Sequence, residues 1–197
     1  MKKWVLVLVL ALALVAAWGV QSFNQIQELD EHVQAQASEI LNQYQRRADL
    51  IPNLVKTVQG SANFESKVLT EVTELRGQIG RLNINAADLN DAQKLQAFNQ
   101  AQSQLGGAIS RLLAVAESYP DVKSTQAFAD LMVQLEGTEN RIATARGRYI
   151  QSVQRYNSYI RKVPASWVAG YAGAEIKPNF SVENSAELSK APSIEFN

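Results

Sequence analysis

Apolar residues are arranged in two different ways along this 197-residue chain. After Lys2 and Lys3 they form a continuous run, Trp4 to Val20, and no charged residue follows until Glu28. At ~1.5 Å per residue this run nearly spans the ~30 Å hydrocarbon core of a bilayer, and the uncharged Gln21 to Gln27 extends it. Residues 1–22 are therefore expected to form a transmembrane anchor. A cleaved signal peptide would need small residues before the cut, and Ala16-Ala17-Trp18 puts a ring there, so a retained anchor is favoured. Basic residues prefer the cytoplasmic side, so Lys2 and Lys3 imply a single-pass protein of the cytoplasmic (inner) membrane. Its N-terminus would be cytoplasmic and its bulk on the outer or periplasmic side.

From Phe23 to about Pro164 the apolar positions become periodic. Ile26, Val33, Ala37, Ile40, Tyr44, Ile51, Leu54 and Val58 step by threes, fours and their sum, the stripe of a helix packed in a bundle, and Gly60 ends it. A second helix, starting at Ser61 or Asn63, carries Phe64, Val68, Val72, Leu75, Ile79 and Leu82 as far as about Asn83. Asn85, Asp88 and Asn90 then mark a loop. The third runs from about Asp91 with Leu95, Phe98, Leu105, Ile109, Leu112 and Ala116 and stops at Tyr119-Pro120; Gly106-Gly107 marks a close helix approach or a kink. Asp121 is expected to cap a very long fourth helix striped by Phe128, Leu131, Leu135, Ile142, Tyr149, Val153, Tyr156 and Ile160. Short connections at Gly60 and Pro120 make the joined helices antiparallel. The fold class is thus all-α: an N-terminal transmembrane helix followed by an elongated, coiled-coil-like, up-and-down four-helix bundle over residues 23–164.

The composition changes over residues 165–197. Prolines, Gly170, Gly173 and the rings of Trp167, Tyr171 and Phe180 suggest an irregular segment that folds back onto the bundle or onto a neighbouring subunit. Beyond about Ser181 a polar, mobile tail is expected.

Charges interrupt the stripes at three places. Arg47 falls between Tyr44 and Ile51, Glu139 between Leu135 and Ile142, and Arg146 between Ile142 and Tyr149. A lone buried charge costs several kcal/mol, so each needs a partner. Counting levels from the turns puts Glu139 within about one and a half helical turns of Arg47, puts Glu39 nearest Arg146, and leaves Glu117 at the far end by the turn. Such a layer would fix the register of helices that a uniform apolar seam leaves free to slide. It could alternatively receive a small anion or peptide terminus on Arg47 and Arg146. Pro52, which lacks an N–H, is expected to bend the first helix.

Composition narrows the chemistry. Nineteen basic and nineteen acidic residues give no net field for nucleic acid, and there is no cysteine for a disulfide, a thiolate metal site or a nucleophile. His32 is the single imidazole, too few for the paired Glu-x-x-His of a di-iron bundle, and it reads as a solvated helix residue. No enzyme activity and no cofactor are expected.

Arg46-Arg47-Ala48-Asp49-Leu50-Ile51-Pro52-Asn53-Leu54-Val55, Ala114-Val115-Ala116-Glu117-Ser118-Tyr119-Pro120, Leu135-Glu136-Gly137-Thr138-Glu139-Asn140-Arg141-Ile142-Ala143 and Tyr156-Asn157 together resemble the LemA family. The resemblance implies one N-terminal membrane helix, four long bundle helices and a role in envelope or membrane organisation, with no established enzymatic activity. Val163-Pro164 and Ala172-Gly173-Ala174 depart from the family's Phe-Pro and Phe-Gly-Phe, whereas Ala191 to Phe196 is similar to its usual ending and would dock through Ile194 and Phe196. The expected partners are the lipid bilayer, further copies of the chain and a membrane protein of unknown identity.

Overall fold

The computed structural model describes residues 2–59 and 66–180, and every element among them is helical. Six α-helices follow in order: α1 (Lys2–Gln59), α2 (Ser66–Leu82), α3 (Ala92–Ala116), α4 (Pro120–Lys123), α5 (Gln126–Ile160) and α6 (Ala165–Tyr171), with a 3-10 turn at Ala87–Asn90. The expected turn at Gly60, the starts at Ser61 and Asn63, Phe64 of the second stripe and the tail beyond Ser181 lie outside the described residues.

Helix α1 runs unbroken through the apolar segment and through Pro52, 58 residues in all. Up to Gln21 most of its side chains are exposed; from Ser22 a buried stripe begins and continues to Val58. Helix α5 lies antiparallel along that stripe. Tyr159 near its end meets Ser22 (3.2 Å between hydroxyls), and Glu139 near its middle meets Arg47. Helices α2 and α3 pack on each other, and α3 runs along the bundle, with Leu95 and Phe98 beside the end near the apolar segment and Leu105 to Ala116 at the far end.

Local chemistry sets the boundaries. Asn83 takes a left-handed conformation (φ 44°) and ends α2, a backbone state asparagine tolerates better than most residues. Asn85 and Asp88 then bond each other's backbone N–H reciprocally (2.9 and 3.1 Å), forming the 3-10 turn that buries Leu89. Asp91 caps α3 by accepting from the N–H groups of Gln93 and Lys94. Asp121 does not cap the long last helix. Pro120 instead opens the one-turn α4, and Thr125, in extended conformation, breaks it and caps α5 by accepting from Phe128 N.

Residues 165–171 are helical rather than irregular. Ala165 and Ala169 form a small inner face that packs on α1 and α5. Beyond α6 an extended segment is held by Asn157, whose amide donates to Lys177 O (2.8 Å) and accepts from Lys177 N (2.9 Å). Of the three rings expected to fold back, only Phe180 does so, edge-on to Tyr149; Trp167 and Tyr171 point outward.

The interior divides into two apolar clusters. The proximal one, beside the apolar segment, holds Ile26, Val33, Ile40, Tyr44, Phe98, Tyr149, Tyr156 and Phe180. The distal one holds Leu50, Ile51, Leu54, Val58, Leu105, Ile109, Leu112 and Phe128. Between them lies a layer of polar groups.

Candidate functional site

Arg47 is the centre of that layer, with 4% of its side chain exposed. One terminal nitrogen, Nη1, donates to Glu139 Oε1 at 3.0 Å. The other, Nη2, donates both to the backbone carbonyl of Gln102 (3.0 Å) and to its side-chain oxygen. The guanidinium lies 5.1 Å from the ring centre of Tyr44, which stands edge-on to Phe98. Arg47 Nε has no protein partner among the described residues. Gly106 sits beside the guanidinium, where an added Cβ would meet Nη1 at 3.5 Å, an ordinary contact. α3 runs through Gly106 and Gly107 as a single helix.

Glu139 answers Arg47 from the rim, with half its side chain exposed (50%). The seam position on α5 is not Glu139 but its neighbour Thr138, which is buried and bonds its own helix at Gln134 O (2.7 Å). Likewise Ala145 rather than Arg146 occupies the seam between Ile142 and Tyr149. A seven-residue gap in a stripe can be crossed by a step of three or of four. The step that buries a small residue and leaves a charge at the edge avoids the desolvation cost.

Arg146 does not pair with Glu39. Its guanidinium lies 4.9 Å from the ring centre of Phe180 and reaches the Tyr44 hydroxyl, while Glu39 accepts from Gln43 Nε2 (2.8 Å) on its own helix. Burial pushes the Tyr44 phenol above its ordinary value, and the positive charges of Arg146 and Arg47 oppose the shift. Glu117 is exposed at the carboxyl end of α3, remote from the layer.

Three participants escaped the sequence reading. Gln102 fills the seven-residue gap between Phe98 and Leu105, the signal that singled out Arg47, but an uncharged side chain drew no attention there. Arg76 of α2 donates from Nε to Ala48 O at 2.9 Å. That carbonyl would bond the N–H four residues on, and residue 52 is a proline with no N–H to give. Lys177 joins α1, the 3-10 turn and α5, pairing with Asp30 (2.6 Å), donating to Asn90 Oδ1 (3.1 Å) and lying over the Tyr156 ring.

With its terminal nitrogens engaged, Arg47 is arranged as an internal clamp between α1, α3 and α5. The adjacent cleft, about 450 Å3, is lined by Gln45, Ala48, Arg76 and Asn83 and not by Arg47. No cluster of three or more metal-ligating side chains occurs among the described residues. The sequence profile of the LemA family matches residues 36–196, which contain all five residues singled out from the sequence. No curated protein matches the chain.

Proposed function

The chain belongs to the LemA family, and we propose that it is a membrane-anchored, non-catalytic helical scaffold that assembles with copies of itself and organises the envelope at the outer face of the cytoplasmic membrane. The observation that carries the reading is the continuity of α1. One helix is long and apolar enough near its start to cross a membrane, exposes that segment almost entirely, and passes directly into the buried stripe of the bundle. An apolar surface of this extent needs a cover, and a bilayer fits its length. The bundle would then stand on the membrane as a rod, and copies confined to one plane meet at high effective concentration.

The engagement of Arg47 by Gln102 and Glu139 favours register over reception of a free anion. Full-length protein should remain in membranes through an alkaline carbonate wash, and mild detergent should release assemblies of several copies. Extraction by carbonate would overturn the anchor. Monomers alone at high protein concentration would overturn the assembly.

A further inference from the structure

Helix α6 is built with its large and small residues the wrong way round for a water-exposed helix. Ala165 and Ala169 face the bundle, whereas Trp167 and Tyr171, one turn apart, leave 71% and 93% of their surface exposed. With Val168 they form one wall of an apolar groove of about 500 Å3, and the other wall is Gly19, Val20 and Phe23 of α1. That wall is the end of the apolar segment itself, so whatever covers the segment extends over the groove.

We infer that α6 is a second membrane contact: Trp167 and Tyr171 sit at the headgroup level of the leaflet through which α1 leaves the bilayer. The inference rests on the membrane reading of α1 and adds to it a site more than 140 residues further along the chain.

Three features select a lipid surface over a second copy of the chain. Groove and apolar segment are continuous. Trp and Tyr are the residues that membrane interfaces favour, because each has an apolar body and a polar tip. The spacing also fits: Lys3 and Phe23 are ~30 Å apart along α1 at ~1.5 Å per residue, so Trp4 marks one boundary and Phe23, Trp167 and Tyr171 the other. Arg161 and Lys162 are exposed in the link between α5 and α6, just past Tyr159, whose hydroxyl meets Ser22 beside that boundary, and can reach lipid phosphates. Glu28, the first acidic residue of α1, stands ~7.5 Å further from the boundary than Phe23 at ~1.5 Å per residue. The contact would hold the rod at a defined angle to the membrane instead of letting it swing on α1.

The chain has three tryptophans, which makes the test direct. Full-length protein carrying Trp4→Phe and Trp18→Phe reports on Trp167 alone; Trp4→Phe with Trp167→Phe reports on Trp18. Both variants are placed in phosphatidylcholine–phosphatidylglycerol vesicles containing phospholipid brominated near the headgroup end of its acyl chains. Trp167 should emit to the blue of a water-exposed indole and lose about half its intensity to the bromines, as a ring at the headgroup level should. Quenching of Trp18 with a water-exposed, unquenched Trp167 overturns the inference and leaves the anchor standing. Quenching of neither overturns both. A blue-shifted but unquenched Trp167 that turns water-exposed on dilution into excess lipid identifies a second copy as the cover and likewise overturns it.

Discussion

The two halves of the core are made of different materials. The proximal half is rich in rings and drawn from many segments. Tyr149 donates to Leu89 O in the 3-10 turn (3.3 Å), Ser22 meets Tyr159, and Lys177 and Asn157 tie the extended segment to α1 and α5. The distal half is mostly leucine, isoleucine and valine, with Phe128 as its buried ring. Directional bonds between distant segments accept one alignment, whereas an aliphatic seam tolerates slips. The Arg47 layer at their junction therefore matters most to the distal half, where packing alone specifies register least.

Removing a large buried side chain from each half tests whether they are separable. Tyr149→Ala deletes a fully buried ring and releases Phe180, and should cost about 4 kcal/mol; Leu112→Ala should cost about 3 kcal/mol. Denaturant unfolding measures the totals, and amide hydrogen exchange locates them. Tyr149→Ala should loosen residues 87–98 and 142–160 before the distal helices. Equal loss of protection in both halves would show that α1 and α5 bind them into one cooperative unit.

Arg47→Ala strikes the junction and should cost about 3 kcal/mol, because Gln102 loses its charged partner in a buried site. Arg47→Met keeps the volume and should recover more than half of that stability, yet leave the distal half free to shift, visible as faster exchange in α2 and α3. An Arg47→Ala variant within about 0.5 kcal/mol of the parent would remove the layer from any account of the fold.

Alkaline pH discriminates the halves without mutation. Tyr44, Tyr149 and Tyr156, all proximal, have their pKa values raised first of all by burial, Tyr149 to about 12. The folded chain holds these protons more firmly than the unfolded one, so their contribution is complete below pH 10 and falls away as pH climbs toward 12. At about 1.4 kcal/mol for each pH unit, Tyr149 alone would account for roughly 2 to 3 kcal/mol of that loss. Tyr149→Phe should cost about 1 kcal/mol at pH 7 through the lost bond to Leu89 O. It should also flatten the decline between pH 10 and 12. An unchanged decline would assign alkaline sensitivity to other groups.

Periodicity made the bundle legible: all the stripe residues named on the first, third and fourth helices are buried. It was less informative for α2, where Val68, Leu75 and Ile79 are half-buried and Leu82 is exposed, because a helix on the outside of a short bundle end needs only a narrow apolar face. The Arg47–Glu139 pair could be found by counting levels, since rise per residue fixes level. The partner of Arg146 could not, because level says nothing about which side of a helix a residue takes, and Phe180 arrives from a segment with no periodicity. Helix α6 was hidden for a related reason: seven residues are too few to display a stripe, and its small inner face is the reverse of the usual pattern.

The smallest expected effect concerns Pro52, which the sequence marks as a bend and the structure marks as a missing donor. Arg76 reaches across from α2 to the carbonyl that proline leaves without its helical partner, so the two residues should be coupled even though one is on each helix. Arg76→Met in the parent leaves Ala48 O without that bond and should cost about 1 to 2 kcal/mol. In a Pro52→Ala background the helix supplies its own N–H to Ala48 O, and the same Arg76→Met change should cost about 1 kcal/mol less. A double-mutant cycle by urea unfolding reads the difference. Coupling near zero would mean that Arg76 acts by packing on α1 rather than by replacing the lost hydrogen bond. α2 would then be held to α1 by apolar contact, with the Glu71–Arg111 ion pair joining it to α3.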